Sequence, residues 1–453
     1  MVLIMARQSL IPIKTSINSL FRRFKLVRKR IRDLTVWLFV VFCLTASTVW
    51  AGGMEGLEQQ VRELVEQNRM LAERLQQVEA ELKALKAEKG AEVATHEAES
   101  AHEEEFSWYD RLEIAVGATG VIQSAHYDGD RHGRKDSQAN GSYSVDLEVA
   151  SKVGENGQTY MLVETGDGEG VDGNFPSFGG VNGDALGDQD FKVSEVWYEH
   201  SWLDDFFRVR VGKLDLTTDF DTNNVANDET TQFLGGQFIN NMTVEFPDYC
   251  FGAMAWMYPS DKLGIGLGYG DADSDWDDLF DNPFGIAEVD LGTDFFGKEG
   301  NYRLYGWINS QRHESWSGED DEQGYGFGVS VDQQIYPGVT LFARYGYADD
   351  DIVDYPVEHN ISAGFQIGGD IWGRPYDVLA VAWGVGILND DYEDSLEEAG
   401  NDASDEHQFE LYYSFQLNDN LAITPDFQYI INPEGIDDED DIYVLGVRSQ
   451  LNF

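Results

Sequence analysis

From Trp108 to Phe453 apolar and polar residues alternate with a period of two. Tyr143, Val145, Leu147 and Val149 interleave with Ser144, Asp146 and Glu148. Phe207, Val209 and Val211 interleave with Arg208 and Arg210, and Leu263, Ile265, Leu267 and Tyr269 interleave with glycines. Leu341, Ala343 and Tyr345 interleave with Phe342 and Arg344, and Phe409, Leu411, Tyr413, Phe415 and Leu417 interleave with mostly polar residues. Side chains of a strand point alternately to its two faces, so each run predicts a strand with one apolar and one mostly polar side. About sixteen such runs can be counted, each near the length that carries a tilted strand across a bilayer.

A sandwich or propeller also alternates, so a further sign is needed. Two are present. Aromatic residues gather near the ends of the apolar rows, as an interfacial girdle requires. The last run puts Tyr443, Leu445, Val447, Leu451 and Phe453 on one face. That ending resembles the assembly signal of outer-membrane barrels, so Phe453 is expected to engage the barrel-insertion machinery. The fold expected for 108–453 is all-β, a transmembrane antiparallel barrel of about sixteen strands, surrounded by outer-membrane lipid and lipopolysaccharide. Short links such as Leu417 to Asn420 and Tyr336 to Gly338 read as periplasmic turns. Longer ones at 166–190, 214–230, 271–284 and 388–406, rich in Asp, Glu, Gly and Asn, read as external loops.

The front of the chain keeps another rhythm. Leu57, Val61, Leu64, Asn68, Leu71, Leu75, Val78, Leu82 and Leu85 step by four and three without a break across 54–89. That is a heptad seam, too short for a lone helix and long enough for an oligomeric coiled coil before the barrel. Residues 90–107 form an acidic linker. Ahead of the seam, residues 1–51 carry a basic cluster from Arg22 to Arg32, an apolar run from Leu34 to Val49 and small residues at Val49 and Ala51. This reads as a secretory signal peptide, with an uncleaved anchor as the alternative. Its removal would leave Cys250 as the lone cysteine, so no disulfide within the mature chain is expected.

Charge changes the picture next. The whole chain has 31 basic and 83 acidic residues and a net charge of −52. Such a surface repels nucleic acid and concentrates cations. Past residue 51 no run of eighteen apolar residues occurs, which excludes a helical span there.

Several segments resemble the carbohydrate-selective porin family, the OprB-type porins. They are Val196-Trp197-Tyr198-Glu199, Val209-Arg210-Val211-Gly212-Lys213-Leu214-Asp215, Asp219-Phe220-Asp221-Thr222-Asn223-Asn224, Trp372-Gly373-Arg374-Pro375, and the stretch from Leu421 to Pro433. The resemblance implies a sixteen-stranded barrel, usually a homotrimer, that passes sugars or other small solutes by diffusion. The leading coiled coil is similar to that of members reaching toward the cell wall. The acidic excess departs from what neutral sugar uptake needs, so carbohydrates and cations both stay open as solutes. Two other readings stay open: a structural protein tethered to the wall through the coiled coil, and a plug-less siderophore or metal uptake porin.

Arg208, Arg210 and Lys213 read as one lumenal face and as half of a constriction. Asp215, Asp219 and Asp221 of the following loop are the candidates for the opposing half, setting a transverse field across the pore. The run Asp271-Ala272-Asp273-Ser274-Asp275 begins like a calcium loop, but Trp276 and Asn282 stand where Gly and Glu belong. No metal site or cofactor is therefore expected, only diffuse cation bridging along the acidic loops. His200 and His313 lack a nucleophile signature such as Gly-x-Ser-x-Gly, and no catalytic activity is expected.

Overall fold

The computed structural model describes residues 112–127, 137–295, 297–316, 322–349, 351–437 and 439–453. The signal, seam and linker lie outside the described residues. Among the described residues no helix is long and apolar enough to cross a membrane. The crossing elements are strands. In order they are β1 (Leu112–Tyr127), β2 (Ser137–Val153), β3 (Gly157–Asp167), β4 (Gln189–Trp202), β5 (Phe207–Leu214), β6 (Cys250–Ser260), β7 (Leu263–Asp271) and β8 (Pro283–Phe295). There follow β9 (Lys298–His313), β10 (Glu322–Tyr336), β11 (Val339–Ala348), β12 (Val357–Gly368), β13 (Val378–Leu388), β14 (Glu406–Asn418), β15 (Leu421–Ile431) and β16 (Ile442–Asn452).

Each strand pairs antiparallel with its neighbours in sequence, and β1 closes the barrel against β16. At that seam Ala118 lies opposite Leu451, and the Val116 amide donates to the Phe453 carbonyl (3.1 Å). The Phe453 amide donates back to Val116 (3.0 Å). A closed sheet leaves no edge strand, so every ladder hydrogen bond has a partner without water.

The distribution of polarity is inverted relative to a soluble protein. Leu267, Leu304, Ile308, Leu445, Tyr143, Phe327 and Val211 stand exposed on the outer wall. Gln123, Glu288, Arg303, Asp332, Arg344, Asn360, Glu410, Gln428 and Arg448 are buried inside it. Only a hydrocarbon surround makes that arrangement favourable. The faces read from alternation in β14 and β16 agree with the burial along each strand.

The two ends differ. At one end the links are tight, as at Gly338, whose φ of 77° makes a turn that a side chain would strain. The clamp in the β12–β13 link is larger. There Asp377 accepts from the Arg374 guanidinium, the Tyr413 hydroxyl (2.8 Å) and the Gln416 amide (3.1 Å). At the other end are the long loops, here named L2 (168–188), L3 (215–249) and L4 (272–282). L3 extends well past the stretch expected from sequence, because its second half is apolar and folds inward. Phe233 and Phe238 pack on Phe342 of β11 and Tyr412 of β14 within a buried cluster.

Polar pins then hold L3 across the lumen. The Glu410 carboxylate accepts from the amides of Leu234 (2.7 Å) and Gly235 (2.8 Å). Arg344 donates to the carbonyls of Phe238 and Asp221 (2.9 Å each) and faces the Asp221 carboxylate at 3.3 Å. L2 lies on the wall beside it. Gln123 and Gln428 both donate to the Val181 carbonyl (2.7 and 2.8 Å), and Ser144 donates to Asp184 (2.9 Å).

Candidate pore constriction

Strand β5 sets the centre of the site. Its pleat sends Arg208 and Arg210 inward opposite Ser201 and Glu199 of β4, while Phe207, Val209 and Val211 face out. Trp197 of β4 shares the inward face. It stacks on Tyr160 with ring centroids 5.0 Å apart, and the Arg210 guanidinium lies 4.1 Å above its ring. Arg210 also donates to Glu199 (3.1 Å) and to Asp219 of L3 (2.5 Å). Arg208 stacks on Tyr258 of β6 at 4.7 Å and stands 3.8 Å from Glu199. It is the more open of the two guanidinium groups, 31% exposed against 13%. The wall here is thus an alternating row, Arg208, Glu199, Arg210 and Asp219, braced by aromatic rings.

Three expectations need correction. Lys213 does not share the arginines' face. It lies three residues past Arg210, so an alternation of two carries it out with Val209 and Val211. There its ammonium donates to the Val193 carbonyl (2.7 Å). Asp215 is no opposing wall either. It caps the short turn 216–218, accepting from the Thr217 amide (2.9 Å) and hydroxyl (2.7 Å), and burial raises its carboxyl. Asp221 is wholly buried against Arg344 and accepts from the Asn241 amide (2.6 Å). Only Asp219 meets an arginine of β5, and it does so in contact with it. Charges of opposite sign adjoin one another along a single wall.

Sequence reasoning missed Glu199, Trp197, Tyr258, Arg344 and Glu410. The alternation through Val196-Trp197-Tyr198-Glu199 could have placed Trp197 and Glu199 inward. Strand register, which sets Glu199 opposite Arg210, could not be read. On the short-turn side of L3 a cavity of about 250 Å³ opens. Thr230, Thr231 and Gln232 of L3 line it with Gln366, Ser414, Gln416, Thr424 and Gln450 of the wall. Every polar residue around it is uncharged.

A closed sixteen-strand barrel narrowed by an inward third loop invites comparison with known channels. The description "Carbohydrate-selective porin, OprB family" matches residues 130–453. The chain belongs to that family. Porin B of Pseudomonas aeruginosa is 26% identical over 192 residues, 41% of this chain and 40% of that protein. An uncharacterised protein of Aquifex aeolicus is 26% identical over 245 residues, 54% of this chain and 63% of that protein. The chain therefore spans less than two thirds of these curated relatives. Among solved structures, the high-pH structure of Pseudomonas putida OprB superposes with a TM-score of 0.66 at 18% identity, covering 76% of this chain and 94% of that one. As an OprB-family member with this barrel, the chain is an outer-membrane β-barrel, and family and fold are those of channels.

Proposed function

We propose that this porin passes small hydrophilic solutes by diffusion, with sugars as the solute class its interior fits best. One observation carries the reading: L3 folds inward and narrows the barrel beside Arg208, Arg210, Glu199 and Asp219, with Trp197 and Tyr258 behind them. Guanidinium and carboxylate groups in one row offer donors and acceptors side by side, which suits vicinal hydroxyls. Aromatic faces suit the apolar side of a pyranose ring. The uncharged cavity beneath L3 continues this with amides and hydroxyls, so a sugar leaving the arginines exchanges one set of hydrogen bonds for another. No catalytic step is assigned to any residue.

The finer architecture is part of the same proposal. Residues 1–51 form the signal peptide, 54–89 a periplasmic coiled coil, 90–107 a linker and 108–453 the barrel. The seam joins three copies, and Phe453, hydrogen-bonded to Val116 at the closing seam, is what the insertion machinery engages. The acidic loops favour cations at the mouth, independently of the sugar path.

Swelling of liposomes loaded with the full chain tests the reading. Flux should fall in order from mono- to di- to trisaccharide, and Arg208→Ala should change the order among sugars of equal size. Swelling no faster than in protein-free liposomes would overturn it.

A further inference from the structure

Strand β7 ends at Asp271, and L4 returns to β8 at Pro283. Between them the chain carries Asp271, Asp273, Asp275, Asp277, Asp278 and Asp281 and no basic residue. One carboxylate oxygen each from Asp271, Asp273 and Asp275 lies within 4.8 Å of the others. Two oxygens on opposite sides of a calcium ion, each about 2.4 Å from it, stand about 4.8 Å apart. The three therefore already fit inside one coordination sphere.

Crowded acids on an exposed loop are ordinary, but Asp271 is not exposed. Its residue is 0% accessible, and neither of its carboxylate oxygens accepts a hydrogen bond. The Trp276 amide is directed toward this carboxylate but stands outside hydrogen-bond geometry. Asp273 Oδ1 is likewise buried without a donor. Buried carboxylates without donors are held apart from water at high cost unless a cation joins them. No lysine or arginine of L4 can do so, since there is none.

We propose that Asp271, Asp273 and Asp275 bind one hard divalent cation, Ca²⁺. The backbone accommodates it: Trp276, the sixth residue from Asp271, has φ of +66°, the left-handed turn for which calcium loops ordinarily use glycine. The twelfth position lacks the bidentate glutamate. Asn282 instead donates to Asp273 Oδ2 (2.6 Å), which orients that carboxylate. Water completes the sphere, which sets the affinity in the range of extracellular modules, roughly 10⁻⁴ to 10⁻³ M.

The ion fastens an aromatic flap. Trp276 and Phe280 lie edge-on to Phe251 at 5.9 and 6.2 Å, and Phe280 also meets Tyr269 at 5.9 Å. Phe251 and Tyr269 stand on the outward faces of β6 and β7. Joining the acids at the base of L4 removes the repulsion that would lift this flap from the outer wall.

Terbium, which replaces calcium and emits when a nearby indole is excited, gives the test on the full chain in detergent. Emission should saturate, and Ca²⁺ should displace it where equal Mg²⁺ does not. Trp276→Phe should abolish most of the emission while calorimetric Ca²⁺ binding persists. Asp273→Asn, and separately Asp271→Asn, should weaken both signals by about tenfold or more, with heat-modifiable gel mobility confirming the fold. The proposal is overturned if folded Asp271→Asn and Asp273→Asn titrate like the parent, if Trp276→Phe keeps its emission, or if Mg²⁺ competes equally.

Discussion

Replacing Arg344 with methionine removes the charge that holds L3 across the lumen while keeping an unbranched side chain. Arg344 and Asp221 are each 0% exposed by side chain and stand 3.3 Å apart. At an effective dielectric of ~20 a unit pair at that distance attracts by about 5 kcal/mol. Removing one partner of a buried pair costs about 3–5 kcal/mol, because the other is left uncompensated. The variant also orphans the carbonyls of Phe238 and Asp221 and the Asn227 side chain, all of which accept from this guanidinium. The Glu410 clip at Leu234 and Gly235 is untouched, so the loop should loosen at one end and stay tethered at the other. In planar bilayers, single channels of Arg344→Met should conduct more and with greater open-channel noise than the parent. The urea midpoint in lipid vesicles should fall. Adding Asp221→Asn should recover part of both losses, since an amide can still accept from Asn241 without an orphaned charge. Parental conductance and midpoint in Arg344→Met would refute the account of how L3 is held.

Other outcomes follow from the same structure. Burial pushes Asp184 of L2 up to about 7 and Glu229 of L3 up to about 8. Acids raised in the folded state add stability that is complete below the ordinary carboxylate range and lost as pH rises through these values. Open-channel noise should therefore grow from about pH 4 to about pH 8 and level off above it, and a flat profile across that range would count against docked neutral carboxyls. Asp377 accepts from Arg374, Tyr413 and Gln416, and the Arg374 hydrogen bond chiefly holds its carboxyl below the usual range. Asp377→Ala should cost on the order of 2–3 kcal/mol, read as a lower urea midpoint with unchanged conductance. The acidic mouth should give cation preference at low salt that weakens as salt rises, because loop charges are screened over ~8 Å at physiological ionic strength. Reversal potentials across a salt gradient measure this, and anion preference at low salt would contradict it. Native mass in detergent should show a trimer that Leu64→Asp with Leu71→Asp dissociates, and a parental monomer would oppose the seam assignment.

Alternation was enough to assign the two faces of the barrel, because each strand meets hydrocarbon on one side and polar groups on the other. It was not enough for L3. Phe233, Leu234, Phe238 and Ile239 are as apolar as a strand, yet Phe233 and Phe238 pack on Phe342 and Tyr412 from within, a contact set by tertiary structure alone. Arg208 and Arg210 were legible as a pair because two arginines on a membrane strand cannot face lipid. Lys213 was misplaced by counting it with them across an odd interval. Glu199 stayed hidden because its partnership with Arg210 depends on which residue of β4 lies opposite. Asp219 was legible as a loop acid, but its contact with Arg210 depends on how far L3 bends back.

The anchors of L3 have a consequence for the order of events during biogenesis. Its partners Ser330, Arg344, Asn360, Glu410 and Arg448 belong to β10, β11, β12, β14 and β16. All are translated after the loop itself. A chain threading into the membrane from its amino end offers the loop grips only near its two ends, such as Arg210 for Asp219 and Glu164 for Tyr249, until the carboxy-terminal half arrives to hold its middle. The eyelet is therefore the last part to form, and it forms as the wall closes rather than before. An arrested chain lacking β14–β16 should leave L3 open to protease, while the complete barrel should protect it.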